Sequence, residues 1–193
     1  MTTRPPFVII SGPSGAGEDT VINKLIKTMP LERVITTVTR KKRPGEKDGS
    51  PYYFISKKKF EEKIKNKEFF EYTIHYNGNY YGITKQEIKR ISKGNKIGVL
   101  KIDYQGIKKI NKKIPLIISI LIKSPLEILE KRIRRRSEVT DKYIKDRMEY
   151  TKKWLDHIDI YNYIVENEEG KINKTIEKVS KIIYKEYKLD KKR

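Results

Sequence analysis

Residues 7–20, FVIISGPSGAGEDT, constrain this chain more than any other stretch. The run from Phe7 to Ser11 reads as a buried strand, ending in a glycine-rich turn and a helix over roughly 19–28. Gly12 and Gly17 hold the G-x-x-x-x-G spacing of a phosphate-binding loop, with Gly15 between them. Such a loop binds through backbone N–H groups and the positive end of the following helix. A capped glycine turn unrelated to phosphate would use the same residues. The place between a buried strand and a helix favours the phosphate cradle. The loop comprises Gly12, Pro13, Ser14, Gly15, Ala16, Gly17, Glu18, Asp19 and Thr20, and departs from the pattern twice. Glu18 stands where a lysine neutralises phosphate, and Asp19 where a hydroxyl binds Mg²⁺. Glu18 should repel phosphate, whereas a carboxylate at 19 still suits Mg²⁺.

Further along, VITTVTR (34–40) is β-rich, and RPGEKDGSPYYFIS supplies turn residues and another strand. Ser56 can cap a helix beginning KKKFEEKI. Aromatic and β-branched residues around Asn77-Gly78 predict a hairpin over 69–84, with a polar helix over about 85–93. KIGVLKID (96–103) and LIISILI (116–122) read as strands buried on both faces, which favours a parallel sheet. Ser124, Pro125 and Glu127 open a helix, and a second runs from about Thr140 to Asp156. YNYIVEN (161–167) is one more strand, and an apolar stripe at Ile172, Ile176, Val179 and Ile183 predicts a final amphipathic helix. The class is α/β, doubly wound, with the β-rich stretch 34–84 as a small lobe over the sheet's carboxyl edge.

The loop resembles the GPSGAGKST opening of guanylate kinases, and the resemblance extends over nearly the whole chain. TTVTRKKRPGEKDGSPYYF is similar to that family's GMP-phosphate segment. The match implies that Arg40 and Arg43 clamp the phosphate, with Tyr52 and Thr36 beside them. Arginine forks pair bidentately with phosphate, and a phenol adds a neutral donor. A basic surface loop is the alternative for RKKR alone. EYTIHYNGNYYGIT resembles the guanine-reading hairpin, with Glu71 on the guanine edge and Tyr81 as a second phosphate tyrosine. Ile83 takes the place of the family's base-contacting hydroxyl. KIDYQG resembles DIDxQG, with Asp103 retained and Lys101 in place of the first aspartate. RIRRRSEVTDKYIKDR resembles the mobile lid, placing Arg132, Arg136 and Arg147 toward ATP and the transferring phosphate. In YIVENEE, Asn167 matches the adenine side. The resemblance divides the chain into a core (1–33, 85–130, 150–188), a GMP-binding lobe (34–84), a lid (131–149) and a frayed tail (189–193).

Two acids in the loop and one new base at 101 suggest a charge swap. Lys101 is expected to pair with Glu18 or reach the phosphates itself, while Asp19 joins Asp103 around Mg²⁺. The implied activity is Mg²⁺-dependent phosphoryl transfer from ATP to GMP, by a monomer or homodimer. The alternative is a weak or inactive guanylate-kinase-like module that binds GMP or a phosphorylated ligand. The 193 residues carry 45 Lys and Arg against 25 Asp and Glu, a formal charge of +20. That charge suits polyanions, but no nucleic-acid recognition motif accompanies it. The absence of Cys excludes disulfides and thiolate metal sites. No signal peptide and no membrane-length apolar run is seen, so a soluble cytoplasmic protein is expected.

Overall fold

A computed structural model describes residues 5–75, 77–136 and 140–189, with the backbone alone at Arg136. Two five-stranded sheets organise it. The first contains β1 (Phe7–Ser11), β2 (Leu31–Arg33), β8 (Ile97–Leu100), β9 (Ile118–Lys123) and β10 (Tyr163–Glu166). Its order is β10-β9-β1-β8-β2, and every neighbouring pair is parallel.

Alternation along β1 shows why this sheet reads as continuous apolar sequence. Val8 and Ile10 pack on one face with Val21, Leu25, Leu129, Val179 and Ile183. Phe7 and Ile9 pack on the other with Leu100, Ile107, Ile110, Tyr150 and Trp154. The first face is covered by α1 (Glu18–Thr28), α5 (Leu126–Arg136) and α7 (Ile172–Tyr187). The second is covered by α3 (Lys85–Ser92), α4 (Tyr104–Lys113) and α6 (Asp141–Leu155). A strand covered on both sides has no polar face to display, so its period-two signal disappears.

The second sheet has the order β4-β5-β3-β7-β6, from β3 (Thr36–Val38), β4 (Lys47–Asp48), β5 (Pro51–Phe54), β6 (Phe69–Ile74) and β7 (Tyr80–Thr84). β6 and β7 form the expected antiparallel hairpin, whereas β3 and β5 run parallel. Its outer face carries α2 (Lys57–Lys65), capped by Ser56, which accepts from the Lys59 N–H at 3.2 Å. Phe60 of α2 is fully buried, stacked on Phe69 at 4.2 Å between ring centroids and edge-on to Tyr80 at 5.3 Å. A Cβ at Gly82 would come within 2.8 Å of the Phe69 ring, so only glycine fits beneath this pair. Lys109 and Lys113 of α4 donate to the Tyr72 and Phe70 carbonyls at the edge strand β6. They tie the second sheet to the first.

Two elements beyond the sequence reading, α4 and β2, bear on the site. α4 was not anticipated, although Asp103 accepts from the Gly106 N–H at 2.8 Å as its N-cap and Ile107 and Ile110 form its buried stripe. The strand expected over 96–103 therefore ends at Leu100. β2 was also missed, because its three residues are too short to show a period. Trp154 packs in the core as expected, donating to the Tyr161 hydroxyl at 2.7 Å.

Phe60→Ala should remove the centre of the smaller core, and urea unfolding should show a loss of about 3 kcal/mol.

Candidate active site

Parallel pairing gathers the carboxyl ends of the strands on one edge, and the chemistry lies there. β1 runs into the glycine loop, β8 into Lys101, and β2 ends at Arg33. Because the order is β1-β8-β2, these three ends are neighbours. A cleft of about 640 Å³ opens between this edge and the second sheet, a size suited to small ligands.

The loop has the backbone of a phosphate cradle. Gly15 and Gly17 sit at φ of +90° and +94°, where a side chain would be strained. A Cβ at Gly12 would meet the Ile122 carbonyl oxygen at 2.5 Å. Among the described residues, no carbonyl accepts from the N–H groups of Gly15, Gly17, Glu18 or Asp19. With the head of α1, they form an anion-binding concavity.

This loop is braced from behind. Asn167 is buried and donates from Nδ2 to the Ala16 carbonyl at 2.8 Å, while its Oδ1 accepts from Thr175 at 3.1 Å. Its side chain was assigned to adenine; the structure spends it on the loop. Arg132 is similarly engaged. Its guanidinium donates to the Gly15 carbonyl at 3.1 Å, the Ser124 hydroxyl at 3.1 Å, and Glu169 at 3.0 and 3.2 Å. In this conformation it is a strut of the loop and not a group directed at a transferring phosphate. Both residues border a second cleft of about 400 Å³ with Gly15, Gly17 and Thr20. The Arg136 side chain lies outside the described residues. Arg147 lines the main cleft and donates to the Tyr143 hydroxyl at 3.1 Å.

The two acids of the loop are neutralised by bases from neighbouring strand ends. Lys101 Nζ stands 3.1 Å from Glu18 Oε1 and 2.5 Å from Asp19 Oδ2. Arg33, absent from the sequence reading, donates from Nη1 to Asp19 Oδ1 at 3.0 Å and from Nη2 to Asn23 at 3.0 Å. Burial alone would raise the Asp19 carboxyl; Lys101 and Arg33 overcome it and hold the group at about 2. Burial also opposes the Lys101 charge, but the surrounding negative charge, Glu18 foremost, raises its pKa well above the lysine value.

At the far side of the cleft, Arg40 makes a bidentate pair with Glu46 at 2.5 and 2.6 Å and lies over the Tyr52 ring at 4.9 Å. The Arg43 N–H also donates to Glu46, at 2.8 Å. Glu46 thus orders the arginine loop, a role the sequence reading did not give it. Tyr52, Tyr81, Thr36, Arg40 and Arg43 all line the cleft. Burial raises the Tyr81 phenol above its ordinary value, so it remains a neutral donor at neutral pH.

Between these ends are two carboxylates with different surroundings. Glu71 is 4% exposed, and its Oε1 has no hydrogen-bond partner. Burial raises its carboxyl to about 7, with the Lys109 ammonium 3.9 Å away opposing the rise. Asp103 is fully engaged. Besides the cap, its Oδ2 accepts from the Tyr150 hydroxyl at 2.7 Å and lies 3.2 Å from His75 Nε2. Burial would raise the Asp103 carboxyl, but His75, Gly106 and Tyr150 keep it below the aspartate value.

In this conformation both oxygens of Asp19 and both of Asp103, the pair expected around Mg²⁺, accept from protein donors, and Asp19 lies against the Lys101 and Arg33 cations. Among the described residues, no group of three or more His, Asp or Glu side chains is arranged to hold a metal ion. One expectation is corrected here. Ile83 makes no contact with the cleft: it is fully buried in the core beneath it. The neighbouring Thr84 hydroxyl is spent capping α3 through the Glu87 N–H.

A parallel sheet, a glycine cradle at the end of β1 and an arginine-lined second sheet define a P-loop kinase fold. A family model described as guanylate kinase matches residues 4–186. The guanylate kinase of Clostridium tetani is 37% identical over 92% of this chain and 84% of that protein. The guanylate kinase of Nitrosospira multiformis is 34% identical over 96% of this chain and 89% of that protein. The crystal structure of guanylate kinase from Anaplasma phagocytophilum superposes with a TM-score of 0.76 at 26% identity, covering 97% of this chain and 88% of that one. The chain belongs to the guanylate kinase family, whose members are nucleoside monophosphate kinases.

Glu71 makes a pH-dependent contribution to stability. Its folded value of about 7 lies above the ordinary 4.5, so between them the folded chain holds a proton that the unfolded chain has released. Its stabilising share is full below 4.5 and is lost as pH rises through about 7. Thermal unfolding of the ligand-free protein should therefore find Glu71→Gln more stable than wild type above about pH 8, by on the order of 2 kcal/mol. The difference should vanish below about pH 4.

Proposed function

We propose that this chain is a cytoplasmic guanylate kinase, transferring the terminal phosphoryl group of ATP to GMP to give ADP and GDP. The observation that carries this reading is the buried Glu71 carboxylate, whose Oε1 has no hydrogen-bond partner, in a cleft whose far side is lined by Arg40, Arg43, Tyr52 and Tyr81. Guanine presents two N–H donors on the edge such a carboxylate would meet. Adenine has an unprotonated ring nitrogen there, which would leave a buried charge facing a lone pair.

The residues divide the work accordingly. Glu71 accepts from the guanine edge. Arg40, Arg43, Tyr52, Tyr81 and Thr36 hold the GMP phosphate. The N–H groups of the loop receive the ATP phosphates, and Lys101 presents its ammonium to them in place of the usual loop lysine. Arg147, on α6, adds positive charge from the opposite wall. Phosphoryl transfer needs alignment and neutralisation of charge, which these groups supply. Guanylate kinases generally use ATP with Mg²⁺, which neutralises phosphate oxygens. In this conformation Asp19 and Asp103 do not supply it with protein ligands.

In a coupled assay the wild type should phosphorylate GMP and leave AMP untouched. Glu71→Gln should lower kcat/KM for GMP by about 100-fold, the cost of leaving a guanine donor unpaired. The acids at 18 and 19 support one other reading, a phosphate-binding module without catalysis. GMP binding without turnover in both wild type and Glu18→Lys would establish that module instead.

A further inference from the structure

The head of α1 carries two consecutive carboxylates, and both converge on one ammonium. Lys101 reaches Glu18 at 3.1 Å and Asp19 at 2.5 Å, from the loop that follows β8. The second oxygen of Asp19 is held by Arg33 at 3.0 Å. Glu18 is 7% exposed, so its charge has little access to solvent. Two acids and two bases leave this group of four side chains neutral.

An ammonium has three donors and no acceptor. One is given to Asp19, and the ammonium also stands 3.1 Å from Glu18, so donor capacity remains for an oxygen of a nucleotide phosphate in the adjoining N–H cradle. This is the arrangement of a cation shared between protein carboxylates and a phosphate, with a tethered single charge as the cation. A divalent ion entering here would meet Lys101 and Arg33 at contact distance, where like charges repel strongly.

We infer that the Lys101 ammonium stands in for the divalent cation at the phosphate cradle, so that this chain binds ATP without needing a metal ion. The inference rests on the reading of the loop as an ATP-phosphate site, and it concerns binding rather than turnover. The raised Lys101 pKa agrees, since a permanent cation must not deprotonate at working pH.

The test uses the full chain and ATP. Calorimetric titration in EDTA should give an affinity within about threefold of that in excess Mg²⁺. Electron paramagnetic resonance should find no Mn²⁺ bound at the loop of the nucleotide-free wild type. Lys101→Met should take up Mn²⁺ between Glu18 and Asp19 and lose the uptake when Asp19→Asn is added. ATP binding by Lys101→Met should weaken at least about tenfold in EDTA. Should Lys101→Met fail to fold, the wild-type measurements decide alone. A wild-type affinity that falls about tenfold or more in EDTA overturns the inference. So does Mn²⁺ bound to nucleotide-free wild type and abolished by Asp19→Asn. Metal-independent ATP binding without transfer to GMP would defeat the proposed activity and leave this inference standing. Transfer accompanied by strictly metal-dependent binding would do the reverse. No ATP binding in either medium would defeat both.

Discussion

Two adjacent carboxylates at the head of α1, Glu18 buried and Asp19 half-exposed, must be neutralised, and much of the site's arrangement follows from how this is done. Glu18 and Asp19 occupy the first turn of the helix, where the helix end and the free N–H groups already favour negative charge. Two further positive groups come from the ends of β8 and β2, as Lys101 and Arg33. The strand order places those ends beside the loop, so the swap of charges needs no distortion of the sheet. Removing Lys101 alone would leave the buried Glu18 carboxylate without its basic partner. That is far costlier than losing an exposed ion pair.

The cleft then separates charge by distance. Its arginine wall belongs to the second sheet and is ordered by Glu46, while the loop wall belongs to the first. Between them, Glu71 has an oxygen without a hydrogen bond and Asp103 has none. Two buried carboxylates in one cleft are therefore driven in opposite directions, one up to about 7 and the other below its ordinary value. Burial without a hydrogen bond favours the protonated form of Glu71, whereas satisfied burial makes Asp103 a fixed joint between α4, His75 and Tyr150.

The strands and helices were legible where their signals are local. The buried strands showed as apolar runs, the hairpin through Asn77-Gly78, and α2 through its Ser56 cap. α4 was legible too, through Asp103 and its isoleucines, but it follows directly on a motif read for its chemistry. The site's residue types were also legible: glycines at loop spacing, arginines followed by tyrosines, and a glutamate within a hairpin. Ile83 was read by position within the hairpin, but packing against the first sheet carries it into the core. Arg132 and Asn167 were read as ligand contacts, but the loop's own carbonyls claim their donors.

Residue order alone decides that there is a glycine cradle after a buried strand, that two acids follow it, and that a lysine replaces an aspartate further on. These are matters of identity and spacing. Which base neutralises which acid is decided by the folded chain, because Coulomb attraction depends on distance in space. Lys101 and Asp19 are 82 residues apart in the chain and 2.5 Å apart in the structure. Arg33 joins them only because β2 pairs with β8, a choice made by the packing of the whole sheet.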